Sequence, residues 1–240
     1  MATLLIGIDD TDNPTSRGTG HLARQVLRQC VEQGMQAIAV TRHQFLLDPA
    51  IPYTSHNSGA CVAVETTQSI DIARFVVDDI VKRSADGSDP GLCMTYQEAV
   101  PAAVQDFGMR ASQEVLTMTE TFRVAKAADI RLLGLGGTCG GVIGALSSVG
   151  QYTYGQTGRY IDLPGLRALS GTVKREQIET LGIRLEHNDK GCPENNSNAY
   201  NTLDWIRPAL IHHEPVLKVE WSAEYNAWIP SDRKKSRPLE

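Results

Sequence analysis

The spacing of hydrophobic and polar positions predicts alternating strands and helices along the first part of the chain. The run Leu4–Ile8 is short and apolar, and it stops abruptly at Asp9, which predicts a buried strand that leads into a polar loop. Apolar side chains between Leu22 and Val31 then recur at helical spacing, and Gly34 follows as a typical helix terminator. These segments form the first strand and helix of the predicted fold.

The following segments continue this pattern with two strands, a helix and a further strand. The predicted strands are Ala37–Val40, Ala60–Glu65 and Leu92–Tyr96, and the helix carries its apolar positions from Ile72 to Val81. The resulting order β-α-β-β-α-β is that of a split βαβ, or ferredoxin-like, sheet with its helices on one face.

The second half of the chain has weaker patterns. They predict a helix over Pro101–Phe122, a short strand over Ile130–Gly134, a helix that starts near Val142, and a terminal β-hairpin made of Val216–Trp221 and Tyr225–Ile229. We therefore expect an α+β fold, with a ferredoxin-like βαββαβ unit inside a mixed α/β architecture. The expected division is a nucleotide-binding core over residues 1–165 and a C-terminal α+β extension over residues 166–240.

Composition narrows the class of protein without identifying it. The 240 residues include 23 basic and 28 acidic side chains, so the formal charge of -5 argues against dense coating of a nucleic acid. The hydrophobic fraction of 41% is that of a globular chain, and no apolar run is long enough to cross a membrane. The five cysteines include no CxxC pair, which predicts neither a disulfide framework nor an ordinary zinc site and favours a cytoplasmic location.

Three carboxylates follow the first predicted strand directly. Asp9, Asp10 and Asp12 lie within four residues, and their mutual repulsion would be relieved by a divalent cation. Carboxylate oxygens are hard ligands, so Mg²⁺ is the natural match, and open α/β sheets bind ligands at such strand ends. The alternative is that these residues only cap helices and form turns.

A second candidate site is a glycine-rich turn between a predicted strand and a predicted helix. Its backbone N–H groups are suited to binding phosphate, although the turn lacks the Gly-Lys-Ser/Thr ending of a Walker A motif. The alternative is close packing of a helix on a strand, or a hinge. The predicted nucleotide-binding residues of this turn are Gly134, Gly136, Gly137, Thr138, Gly140 and Gly141.

Two further polar turns complete the candidate residues. His56 is suited to carry a proton or contact a phosphate, and Asn57 to bind a metal or orient a hydroxyl group. Arg17, Gly18 and Thr19 precede the first helix and offer a guanidinium group and backbone donors to an anion. For both turns the alternative is an ordinary surface or capping role.

The order of these motifs carries a family resemblance. Gly7-Ile8-Asp9-Asp10-Thr11-Asp12 precedes Gly18-Thr19-Gly20, then His56-Asn57-Ser58-Gly59-Ala60-Cys61, then a glycine-rich turn with Gly144-Ala145-Leu146. In this respect the sequence resembles the kinase-like portion of the archaeal agmatinylcytidine synthetase family, which modifies the anticodon cytidine of an isoleucine tRNA. The resemblance covers roughly the first two-thirds of the chain.

The resemblance implies an enzyme that uses ATP and Mg²⁺. In that family the cytidine carbonyl is phosphorylated and agmatine then displaces the phosphate, so the resemblance places Asp9, Asp10 and Asp12 at the metal and the nucleotide phosphates. The full-length synthetase also carries an OB-fold and a zinc ribbon for tRNA. This chain has neither the length nor the paired cysteines for them.

These observations lead to a functional hypothesis with one rival. We expect ATP- and Mg²⁺-dependent phosphoryl transfer, or ligation through a phosphorylated intermediate, with His56 or Asp10 as base and Arg17 stabilising developing charge. The acceptor stays open between agmatine, a cytidine in tRNA and other molecules, and the edge of the terminal hairpin leaves a homodimer open. The rival is a non-catalytic nucleotide sensor or RNA-binding adaptor.

Overall fold

The computed structural model describes residues 1–54, 56–69, 74–193 and 198–232. The helices are α1 (Thr19–Glu32), α2 (Arg74–Arg83), α3 (Ala102–Arg110), α4 (Met118–Ala127), α5 (Val142–Tyr154) and α6 (Arg175–Glu179). The strands are β1 (Ala2–Asp9), β2 (Gln36–Gln44), β3 (Ser58–Thr66), β4 (Gly91–Tyr96), β5 (Arg131–Gly134), β6 (Arg159–Asp162), β7 (Thr172–Lys174), β8 (Arg184–Asn188), β9 (Ala199–Asn201), β10 (Ala209–Ile211), β11 (Glu214–Ser222) and β12 (Ala227–Pro230).

The predicted order β-α-β-β-α-β is present in the first hundred residues. The four strands of this segment lie side by side in the order β4-β1-β3-β2, and each neighbouring pair is antiparallel. Side chains of β1 alternate between the two faces of the sheet, as a strand requires. Leu4, Ile6 and Ile8 pack in one apolar cluster with α1 and α2, whereas Leu5 belongs to the cluster that contains α5.

Helix α5 lies directly on the other face of the same strands because glycines there leave room for its backbone. A Cβ atom at Gly7 of β1 would collide with the carbonyl oxygen of Ala145, and one at Gly91 of β4 would collide with the backbone of Gly141. Gly59 of β3 faces Ser148 of α5 in the same way. This close contact places the first turn of α5 beside the end of β1.

The sheet extends without a break into the second half of the chain. Strand β6 pairs with β2 on one side and with β10 on the other, so the described strands form a single sheet of twelve. The fold is thus mixed α/β, with one large mixed sheet. The predicted terminal hairpin is present as β11 and β12, which pair from Val219 opposite Pro230 to Ser222 opposite Ala227.

Two details of the prediction differ from the structure. The predicted helix Pro101–Phe122 is wrong as one element, because residues 111–117 separate α3 from α4 and Thr117 caps α4 by accepting a hydrogen bond from the backbone of Glu120. Ile72, the predicted start of the second helix, lies outside the described residues. The division at residue 165 stays a prediction.

Among the described residues, no helix combines the length and the apolar character that a membrane span requires.

Candidate functional site

A cavity of about 160 Å³ opens where β1 ends, and it collects residues from most of the predicted polar turns. Its walls come from the loop after β1, the segment between β2 and β3, the loop before β4, the segment between α3 and α4, which includes Glu114, and the start of α5 with the turn before it. The predicted site residues that line it are Asp9, Asp10, Asp12, His56, Asn57, Thr138, Gly140 and Gly141. We call it the carboxylate cavity.

Asp9 is the last residue of β1, and its carboxylate packs against the first turn of α5. The position that a Cβ atom of Gly144 would take overlaps the Asp9 carboxylate, so only glycine fits there. Burial raises the pKa of Asp9 to about 7, the backbone N–H of Asp10 opposes this change, and the charges of Asp10 and Asp12 add to it. A carboxyl group of this kind is stabilised in its charged form by a cation or by donors placed close to it.

Asp10 takes a left-handed backbone conformation, with φ of 55°, immediately after the strand. Aspartate tolerates this conformation better than most residues, and such strained positions are often found at functional sites. Burial raises the pKa of Asp10, and the nearby charges of Asp89 and Asp12 raise it further. The Asp10 carboxylate therefore lies among other carboxylates in the cavity wall.

The Asp12 side chain is hydrogen-bonded to Thr19, the first residue of α1. Its Oδ1 atom accepts hydrogen bonds from the Thr19 hydroxyl at 2.9 Å and from the Thr19 backbone N–H at 3.3 Å. The Thr19 hydroxyl in turn accepts a hydrogen bond from the backbone N–H of Thr11 at 3.3 Å. The capping role that was the alternative for the carboxylates is thus present at Asp12, and it orders the loop between β1 and α1.

The glycine-rich turn wraps around Asp89, a residue that the sequence analysis did not select. The backbone N–H of Thr138 donates to Asp89 Oδ1 at 3.0 Å, and the Thr138 hydroxyl donates to Asp89 Oδ2. The backbone N–H of Gly141 donates to the carbonyl oxygen of Asp89 at 3.0 Å. Some of the donors expected to bind phosphate are therefore paired with this aspartate, while Gly140 and Gly141 remain in the cavity wall.

The turn before β3 contributes one structural residue and one exposed residue. The Asn57 side chain donates to the carbonyl oxygen of Leu46 at 2.6 Å, and this bond holds the turn against the segment after β2. His56 is exposed and lines both the carboxylate cavity and a second cavity beside it. Of the two residues, His56 has the position of a group that meets a ligand.

Some predicted residues lie away from the carboxylate cavity. Arg17 is exposed in the loop before α1, and it lines neither the carboxylate cavity, nor the cavity beside it, nor a third cavity whose wall includes Arg159 and Lys218. Gly18 and Thr19 line the second cavity instead. Gly134, Gly136 and Gly137 shape the turn, since Gly134 pairs with Gly91 and the other two pack on the Ser88–Pro90 segment.

The register between β1 and β4 explains how Asp89 reaches the site. Asp9 pairs with Gly91 in antiparallel strands, so the residue two positions before Gly91 lies beside the loop that follows Asp9. Pairing β1 with β4, as a ferredoxin-like sheet requires, would have indicated this position from the sequence.

The number of carboxylates in the cavity wall is compatible with Mg²⁺, which needs few protein ligands. In the described part of the chain, no group of three His, Cys, Asp or Glu side chains is arranged to hold a metal. Mg²⁺ usually takes only one or two protein carboxylates and fills its other positions with water and phosphate oxygens. Asp10, with Asp9 beside it in the wall of the carboxylate cavity, is consistent with such a site.

Comparison with known proteins relates part of this chain to one group of enzymes. No family model matches the chain. The chain is 32% identical to the isoleucine-tRNA 2-agmatinylcytidine synthetase TiaS of Pyrococcus horikoshii over 166 residues, which is 63% of this chain and 37% of that protein. It spans less than half the length of the curated relatives that it matches.

Solved structures show the same relationship. The structure of TiaS in complex with an isoleucine tRNA and ATP matches 62% of this chain and 36% of that chain, with a TM-score of 0.54 and 27% identity. A complex of TiaS with the tRNA, AMPCPP and agmatine matches the same shares, with a TM-score of 0.53 and 25% identity. The chain is therefore a distant homologue of part of the agmatinylcytidine synthetase TiaS, over about 62% of its own length.

Proposed function

We propose that this protein catalyses ATP- and Mg²⁺-dependent phosphoryl transfer, or ligation through a phosphorylated intermediate. The observation that carries the proposal is the convergence of Asp9, Asp10 and Asp89 with Gly140 and Gly141 in one cavity at a strand end. Phosphoryl transfer depends mainly on positioning and on neutralising phosphate charge, and this cavity offers groups for both tasks. Homology to TiaS, which has been solved with ATP, supports the same chemistry.

In this proposal the carboxylates hold the metal. Asp9 and Asp10 would hold Mg²⁺, which when bound supplies positive charge beside the phosphates. Asp12 completes the acidic set and orders the loop through Thr19. Asp89 stabilises the glycine-rich turn, so that the backbone of Gly140 and Gly141 faces the cavity in a defined conformation.

An amine or hydroxyl nucleophile such as the amine of agmatine must lose a proton when it attacks, whereas the carbonyl oxygen of cytidine carries none. His56 and Asp10 are the titratable groups proposed for this role, because both line the cavity. We propose agmatine or a cytidine in tRNA as acceptor, since TiaS has been solved in a complex with both agmatine and an isoleucine tRNA. Residues 1–165 would form the kinase-like core and residues 166–240 an extension.

The decisive experiment removes one charge at Asp10. Asn also tolerates the left-handed conformation, so Asp10→Asn keeps the backbone and the shape while it removes a carboxylate. We expect MgATP turnover to fall by about 100-fold or more, because a metal-held transition-state charge is worth several kcal/mol. The measurement is Mg²⁺-dependent ATP binding by calorimetry together with release of ADP, AMP or phosphate.

The matched control is Asp106→Asn on α3, an exposed aspartate outside the three cavities. Equal MgATP binding and turnover in the Asp10→Asn variant and the wild type would contradict the proposal. Mg²⁺-dependent binding of ATP without turnover in the presence of agmatine and tRNA would instead favour the non-catalytic nucleotide sensor.

A further inference from the structure

A second cavity, of about 400 Å³, adjoins the carboxylate cavity and carries the opposite charge. The two cavities share Asp12, His56 and Ser58 in their walls, so they lie next to each other. The second cavity is lined by four arginines, which come from α1, from β2 and from the segments after β6 and β9: Arg24, Arg42, Arg167 and Arg207. We call these residues the arginine cluster.

Two members of the cluster are held in place by one aromatic ring. The guanidinium carbons of Arg167 and Arg207 lie 4.0 Å and 3.8 Å from the ring centre of Trp205. Two guanidinium groups this close to one centre must lie on opposite faces of the ring, since they would overlap on one face. The Trp205 ring therefore orients both cations and leaves neither of its faces for stacking of a base.

The remaining members, Arg42 and Arg24, differ in their hydrogen bonding. Arg42 Nε donates to Ser58 Oγ at 2.9 Å, and Ser58 belongs to both cavity walls. Arg24 Nε is buried and has no hydrogen-bond partner in the described part of the chain. A buried cationic donor without an acceptor is costly unless a ligand supplies one.

Positive charge exceeds negative charge in this region. Among the described residues, Asp12 is the only carboxylate in the wall of the second cavity. Asp162, outside that wall, lies close enough to Arg24 for their charges to interact. Partial burial of its guanidinium group lowers the pKa of Arg207, and the neighbouring charges of Arg42, Arg159 and Arg24 lower it further. On a protein with a formal charge of -5, such a concentration of arginines indicates an anionic ligand.

We propose that the arginine cluster binds a phosphate group of the acceptor substrate and thereby presents that acceptor to the carboxylate cavity. That the bound molecule is the acceptor rests on the proposed function, whereas the anion site itself rests on the geometry of the arginine cluster. Guanidinium groups match phosphate oxygens with paired hydrogen bonds, and four of them around one cavity bind a phosphate more selectively than scattered lysines would. Of the two acceptors proposed above, the cluster therefore favours a cytidine that carries a phosphate, in a nucleotide or a nucleic acid, over agmatine, which has none.

The test compares ligands that differ in phosphate content, with Mg²⁺ and ATP left out. The probes are cytidine, cytidine 5′-monophosphate and a short single-stranded RNA, each titrated into the full chain at two salt concentrations. We expect the monophosphate or the RNA to bind and cytidine to bind at least about tenfold more weakly, because charged hydrogen bonds to the phosphate are lost. A steep salt dependence and much tighter binding of RNA would identify a backbone phosphate as the source, whereas equal affinity for the mononucleotide would identify a small acceptor.

The variants are Arg167→Gln and Arg207→Gln, both at exposed positions where folding is easily checked by circular dichroism. We expect each to weaken binding of the phosphate probe by about tenfold or more. The matched control is Arg123→Gln, an exposed arginine on α4 that lies outside the cavities. Wild-type affinity in both folded cluster variants, or equal affinity of the wild type for cytidine and its monophosphate, would overturn the proposal.

Asp10→Asn separates this inference from the proposed function. It is expected to lower MgATP turnover by about 100-fold or more, as above, and to keep binding of the phosphate probe. If the wild type shows no ATP turnover but its phosphate binding still depends on the cluster, the proposed function fails and the anion site stands.

Discussion

The aspartates of the carboxylate cavity differ in their hydrogen-bond partners, although the sequence pattern treated Asp9, Asp10 and Asp12 as one acidic group. Asp12 is bound to Thr19, Asp89 is bound by Thr138, and Asp10 is left in the cavity wall in a left-handed conformation. The residue types and their spacing indicated a cation site, but not which carboxylate was already paired. Pairing is decided by groups distant in sequence, such as Asp89 and Thr138, which are 49 residues apart.

His43 provides a prediction at the residue scale, independent of the proposed function. It is buried in β2 with its Nε2 atom 2.8 Å from the Thr41 hydroxyl, and burial lowers its pKa from 6.5 to about 3. The folded state therefore resists protonation, whereas the unfolded chain takes up a proton below pH 6.5. The stability that this neutral histidine contributes is complete above pH 6.5 and is lost as the pH falls towards 3.

The measurement is the free energy of unfolding of the wild type and of His43→Gln by urea denaturation across this pH range. We expect the difference between the two proteins to change by about 1.4 kcal/mol per pH unit, the value for one proton. The difference is compared because Asp9, with its pKa raised to about 7, acts with the opposite sign in both proteins. A difference that is constant with pH would contradict a buried neutral His43.

At the scale of elements, contact between α5 and the sheet controls where the site forms. The helix can approach β1, β3 and β4 only because those strands carry glycine where it crosses them. The glycine-rich turn before α5 is then drawn to the end of β1. The turn has features of both interpretations. Gly141 packs closely against Gly91, as close packing predicts, and Gly140 lies in the cavity wall, where ligand binding would place it.

Gly7→Ala tests this contact. The added methyl group would meet the carbonyl oxygen of Ala145, which belongs to the backbone of α5 and cannot rotate away. We expect a loss of about 1–3 kcal/mol in the free energy of unfolding, because overpacking displaces the helix. Gly18→Ala is the matched control, since its φ is -63° and its nearest neighbour, Asp12 Oδ2, lies at 3.8 Å.

Urea denaturation of both glycine variants provides the measurement. The Gly18→Ala protein is expected within about 0.5 kcal/mol of the wild type. Equal stability of Gly7→Ala and the control would show that α5 does not lie as close to β1 as the structure indicates.

For the whole molecule, the continuous sheet joins the two halves of the chain. Strands β6 and β10 pair across the predicted division, and one apolar cluster contains both Leu5 of β1 and Trp228 of β12. The arginine cluster also depends on this connection, because Arg24 and Arg42 come from the first half and Arg207 from the second. The second half of the chain therefore contributes to the region beside the carboxylate cavity.

This connection predicts cooperative unfolding. We expect the full chain to unfold in urea in one transition that is the same by tryptophan fluorescence, which reports Trp205, Trp221 and Trp228, and by circular dichroism, which reports the helices. Shared core packing is the physical reason, since exposing either half's part of the apolar cluster to water costs free energy. Two separated transitions, with the fluorescence change at lower urea, would contradict this expectation.

The sequence by itself determined the local elements and the kinds of chemistry. Period-two and helical patterns place the strands and helices, because they reflect burial of one face of each element. A crowded run of carboxylates and a glycine-rich turn are also visible in the sequence, because the residues of each motif are neighbours along the chain. The tertiary structure alone decided which polar groups meet: Asp89 joins Asp10 through strand register, and four arginines from distant segments line one cavity. Charges attract or repel according to distance in space, and that distance is set only when the sheet and α5 have packed.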